Sequence, residues 1–140
     1  MIIQPKYIGI LSCSGEECPG GTVSRIATIK VLSEYIPGST TTICVPLFLA
    51  GDEKEQNFVK KFPCITVDGC QKKCAARSVN NLGREPIKEI ELSEFYTETE
   101  WQQVKNGPLH DLKWKNHSLS EKLALHIAEC AGKELNPLSL

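Results

Sequence analysis

The chain has 140 residues, enough for one domain with a substantial hydrophobic core. Hydrophobic residues make up 41% and charged residues 24%, the composition of a folded globular protein and not of a disordered one. With 16 basic and 17 acidic side chains the net charge is -1, so electrostatics give no reason to expect nucleic acid or an anionic membrane as a partner.

The first patterned segment, "YIGILSC" at residues 7 to 13, is a near-continuous apolar run, the signature of a strand covered on both faces. It leads into the glycine- and proline-bearing loop "SGEECPGG", after which Thr22 is the expected N-cap of the helix "VSRIATIKVLSEYI". Val23, Ile26, Ala27, Ile29, Val31 and Leu32 give that helix its apolar stripe, and Pro37 with Gly38 ends it. "TTTICVPL" reads as a second strand, rich in β-branched residues. "DEKEQNFVKKF" opens with acids and closes with lysines, the order a helix dipole favours. "CITVDG" is the expected third strand, and "CQKKCAARSVNNLG" a third helix with Gly83 as its C′ residue. "IKEIEL" predicts a weaker fourth strand near an edge. Residues 93 to 119 are poorly patterned, and a short helix followed by irregular chain is expected there. A last amphipathic helix runs from about Ser120 to Leu135, with Leu123, Ile127 and Cys130 on its inner face.

Strands alternating with helices predict right-handed βαβ units. The expected architecture is a single α/β domain over residues 1 to 140, a parallel sheet of about four strands in a flavodoxin-like or Rossmann-like three-layer sandwich. No window approaches the roughly 18 apolar residues of a membrane span. "MIIQPKYIGILSC" lacks the charged start and long apolar core of a secretory signal, so a cytoplasmic location is expected.

Seven cysteines stand out against this background. In a reducing compartment, clustered thiols more often bind metal or do redox chemistry than form structural disulfides. Cys13 ends the first strand, Cys44 lies near the end of the second, and Cys70 follows the third. In a parallel sheet these ends share one edge, and a strand order beginning 2-1-3 makes them neighbours at the topological switch point. Cys74, one helical turn after Cys70, would point to the same side. Four converging thiols suit zinc, which takes four thiolates tetrahedrally at about 2.3 Å. They equally suit an iron–sulfur cluster. A helix N-terminus at Cys70 would stabilise its thiolate. Gly69 lets backbone approach a ligand, and Asp68 is placed to orient the loop or to accept a hydrogen bond beside the metal.

"CSG" after the first strand, a cysteine closing the second, and "DGC" with a further cysteine four residues on resemble the DGC-domain family, which is described as zinc-binding. The resemblance covers about residues 7 to 85. It implies that Cys13, Cys44, Cys70 and Cys74 are the metal ligands. Cys18 and Cys64 are departures from the family pattern, and Cys18 either replaces a ligand or serves as a reactive fifth thiol.

The rival class is a thiol-based oxidoreductase or sulfurtransferase using Cys13 or Cys18. Other enzymatic readings of the first loop fail on spacing. A phosphatase loop needs an arginine where Pro19 or Ser24 stands, and a P-loop needs a lysine where Gly21 stands. Cys64 and Cys130 read as packing residues, and His110, His117 and His126 form no metal-ligand spacing. Lys72, Lys73 and Arg77 form a solvated face that would also offset the charge of a tetrathiolate. Beyond a metal ion, the sequence designates no partner.

Overall fold

The computed structural model describes residues 6–13 and 15–136. Four strands, β1 (Ile8–Ser12), β2 (Thr40–Thr42), β3 (Cys64–Asp68) and β4 (Lys88–Glu91), form one sheet in the order β2-β1-β3-β4. All three pairings are parallel, as the alternation of strands and helices requires. The central strands β1 and β3 are buried almost throughout, which is why both read as continuous apolar or β-branched runs.

The period-2 alternation of side chains divides the core into two halves. Ile8, Ile10, Ile65 and Val67 face a layer built from α1 (Pro19–Lys30), α6 (Glu98–Lys105), α7 (Asp111–Trp114) and α8 (Ser118–Leu135). Leu11 and Cys64 face the opposite layer, where α2 (Val45–Leu49), α3 (Glu53–Lys61) and α4 (Cys74–Asn81) supply Phe48, Val59, Ala75 and Val79. The short α5 (Leu92–Phe95) follows β4 directly and adds Leu92 to the first half. This is the expected three-layer α/β sandwich.

Several boundaries differ from expectation for identifiable reasons. Helix α1 starts at Pro19, ahead of Thr22, with Cys18 in the extended N-cap conformation. Proline is favoured at this position, because its missing N–H would find no helical partner there. Thr22 lies inside the first turn, and its hydroxyl donates to the Leu109 carbonyl at 2.6 Å. Beyond Lys30 the helix widens into a π-helical turn, Val31–Tyr35. Strand β2 stops at Thr42, since Pro46 cannot continue a ladder but suits the first turn of α2. The third expected helix begins at Cys74 and not at Cys70: residues 70–73 form a turn that ends with Lys73 left-handed at φ 52, ψ 48. Gly83, at φ 85, terminates α4 as expected. The poorly patterned region contains three short helices, of which α6 opens with a capping box formed by Thr97 and Glu100. Helix α8 begins two residues early, at Ser118, where His117 Nδ1 accepts the Leu119 N–H at 3.0 Å.

Candidate metal centre

The parallel register brings the carboxyl ends of β2, β1 and β3 to one edge, and five cysteines lie on the segments that leave it. Cys13 continues β1 by one residue, its N–H donating to the Val67 carbonyl at 2.9 Å, and is buried. Cys18, half-buried, is the N-cap of α1. Cys44, exposed, is the N-cap of α2. Cys70 is half-buried in the turn after β3, and Cys74 is the exposed first residue of α4.

Glycines allow these segments to approach. A Cβ on Gly20 would collide with the Gly69 carbonyl, and one on Gly69 would collide with the backbone of Gly20 and Gly21. A Cβ on Gly21 would lie 2.5 Å from the Gly15 Cα. The start of α1 and the β3–α4 turn are therefore in backbone contact, a distance that no side chain permits. Gly15 also takes a positive φ of 42, the left-handed region open to glycine. The Cys18 thiol donates to the Gly69 carbonyl at 3.5 Å, which ties the same two segments together.

Asp68 secures the turn from below. Its side chain is 2% exposed, and its carboxylate accepts the Ala75 N–H at 2.7 Å and the Ala76 N–H at 3.1 Å. Lys73, the formal N-cap of α4, makes no side-chain cap bond, so Asp68 satisfies the helix start in its place. Burial pushes the Asp68 carboxyl above the ordinary range; the two amides oppose that shift, and the nearby Glu89 and Glu91 add to it. Glu91, its register partner on β4, is equally buried and accepts from the Glu94 N–H and the Ser93 hydroxyl.

The Cys13 thiol is pushed up to about 11, chiefly by burial. A backbone hydrogen bond from Gly69 opposes the shift, while Asp68, Cys74 and Cys70 reinforce it through their charges. Cys13, Cys70 and Cys74 thus lie within electrostatic reach of one another, with Cys18 joined to the same Gly69. Cys44 stands on the β2 side of this group.

Soft thiol donors are the right chemistry for zinc. Zn–S bonds of about 2.3 Å require sulfurs roughly 3.8 Å apart in a tetrahedron. Among the described residues no group of three or more His, Cys, Asp or Glu side chains is arranged to hold a metal ion. The donor types fit the metal, but their spread in a single chain does not close around it.

The remaining candidates lie elsewhere. Cys64 is buried at the amino end of β3, its thiol pushed up to about 12 by burial. Cys130 is half-buried on α8, its Sγ 3.8 Å from His126 Nε2, and the His126 ring stacks on Phe95. The interlocked glycines and the left-handed Lys73 were not singled out from the sequence as a unit. The Gly20-Gly21 pair after Pro19 and the glycine of "DGC" were the available signal.

A parallel α/β domain whose thiols gather at the carboxyl ends of its central strands is the class that this fold and edge define. No helix among the described residues is long and apolar enough to cross a membrane. The chain belongs to the DGC-domain family: the family model for the DGC domain matches residues 9–112, from β1 into α7, and so includes all five edge cysteines. Comparisons with curated proteins and with solved structures gave no match.

Proposed function

We propose that the protein binds zinc at its carboxyl edge through thiolates drawn from Cys13, Cys44, Cys70 and Cys74, with Cys18 as a neighbouring thiol. The observation that carries this reading is the gathering of Cys13, Cys70 and Cys74 within electrostatic reach beside the Gly20–Gly69 contact. A divalent cation would displace the thiol protons as it binds and offset the negative charge that ligating thiolates would bring beside the buried Asp68 carboxylate. Membership of the DGC-domain family supports the same reading. Zinc bound by four thiolates has no open coordination position, so the centre serves in holding, sensing or passing on the metal more naturally than in catalysis.

Use of Cys13 as an enzymatic nucleophile is disfavoured, because burial keeps its thiol protonated at neutral pH. The test is native mass spectrometry with elemental analysis of anaerobically purified protein. Zinc without iron or acid-labile sulfide is the expected result. Iron with sulfide would replace zinc by a cluster at the same cysteines. Metal-free protein that alkylates rapidly at Cys18 would replace metal binding by thiol chemistry.

A further inference from the structure

A second pair of donors lies on α8, away from the carboxyl edge and beyond the stretch that the family model matches. His126 and Cys130 are four residues apart, so one helical turn sets them on the same face. Cys130 Sγ stands 3.8 Å from His126 Nε2, and both residues are half-buried. The imidazole stacks on Phe95, with 4.7 Å between ring centres and 26° between planes. That contact fixes the direction of the ring nitrogens, as a ligating histidine requires.

Burial decides the charge of the pair. It raises the Cys130 thiol and lowers the His126 imidazole, so both are neutral at pH 7. In the tautomer with its proton on Nδ1, His126 presents the Nε2 lone pair to the thiol. The charged groups acting on both side chains are Lys88 on β4 and Glu129 and Lys133 on α8. Glu129 and Lys133 form an ion pair at 3.2 Å, which leaves Lys88 as the uncompensated charge.

These surroundings discriminate between cations. A monovalent ion held by one thiolate and one neutral imidazole is neutral overall, so neither burial nor Lys88 opposes it. A divalent ion on the same two donors keeps a net positive charge beside Lys88. Glu89, Glu91 and Glu94 line the cleft that His126 borders, but among the described residues no carboxylate joins the pair as a third donor. Zinc would therefore lack half of its four-ligand shell. A soft monovalent ion is satisfied by two donors on opposite sides, roughly 4 Å apart, close to the separation of this pair.

We infer that His126 and Cys130 form a two-coordinate site for a soft monovalent metal ion, of which cuprous copper is the biological example. The ion takes the place of the thiol proton between Sγ and Nε2. That proton passes to solvent, the two metal–ligand bonds form, and copper stays monovalent, so no electrons are transferred. The site shares no residue with the carboxyl edge and stands independently of the zinc reading.

The test is anaerobic titration of the full-length chain with the cuprous acetonitrile complex. The edge thiols are soft donors too, so the readouts are taken at the pair itself. They are the imidazole nitrogen resonances of His126 and the alkylation rate of Cys130, followed by mass spectrometry. Copper is expected to shift Nε2 more than Nδ1 and to slow alkylation of Cys130 at least tenfold. His126→Phe, which keeps an aromatic ring against Phe95, should abolish that protection, and excess zinc should leave both readouts unchanged. Unshifted His126 resonances in the unaltered protein, or a Cys130 that alkylates as fast with copper as without, would overturn the site. Protection that survives His126→Phe would reduce it to a lone thiol, and an equal response to zinc would overturn the monovalent assignment.

Discussion

The Ala75 N–H donates to Asp68 Oδ1 at 2.7 Å, so the last residue of β3 caps the helix that begins beyond the next turn. The bond spans the two cysteines of the turn and fixes their positions relative to the sheet. Asp68→Ala leaves the Ala75 and Ala76 amides without these partners at a buried site and should destabilise the fold by about 2 kcal/mol. The urea midpoint measures the loss, and faster amide exchange at Ala75 and Ala76 locates it.

The glycine contact predicts substitutions of opposite sign. Gly20→Ala or Gly69→Ala forces backbone against backbone and should cost about 3 kcal/mol or prevent folding. Gly132→Ala, in α8 with no atom within 4 Å of the new methyl group, should stabilise by about 0.5–1 kcal/mol through better helix propensity. Thermal unfolding of the variants separates a steric requirement from a merely tolerated glycine.

Lys73 carries the left-handed conformation that ends the thiol turn. Lys73→Gly relieves roughly 1 kcal/mol of backbone strain, partly offset by the greater freedom of the unfolded chain. A small rise in stability is expected, together with weaker zinc affinity, because Cys74 is then held less firmly. Equal or tighter zinc binding in this variant, read by competition with a chromophoric chelator, would contradict a presenting role for Lys73.

Alkaline conditions should destabilise the protein through Cys64. Its thiol ionises near 9.0 in an ordinary environment and at about 12 when folded, owing to burial. Between those values the unfolded chain has released the proton and the folded chain still holds it, so stability is full below pH 9 and falls as pH rises. Burial raises the Tyr96 hydroxyl as well, which steepens the loss above pH 10. Denaturant titrations from pH 8 to 11 should show the decline, and Cys64→Ala should make it shallower. In native protein at neutral pH, Cys64 should resist alkylation that reaches it readily after unfolding.

Much of the architecture was legible because the chemistry was local. Ile8, Ile10, Leu11, Ile65 and Val67 announce two strands covered on both faces, and the acid-to-lysine order of "DEKEQNFVKKF" announces α3, which the structure caps with Asp52. The thiol edge followed from parallel topology alone. What escaped the sequence depended on tertiary contact. Thr22 looks like a cap, but Pro19 starts the helix earlier, and the Thr22 hydroxyl is engaged by Leu109, far along the chain. "CQKKC" has helical spacing, yet the Asp68 carboxylate moves the helix start to Cys74. Residues 93 to 119 lack a long amphipathic period because their helices are one or two turns each, anchored by single buried residues such as Val104 and Trp114.

The meeting of Cys18 with Gly69, 51 residues apart, also bears on the order in which the molecule forms. The contact requires the β1–α1 unit, the whole of the β2 crossover and β3 to be in register before the two loops can touch. Loop-closure entropy makes such distant contacts slow to form. A nascent chain therefore has its individual thiols long before it has the edge, and capture of a metal by several of them at once, as the proposed zinc reading requires, would report that the sheet is complete.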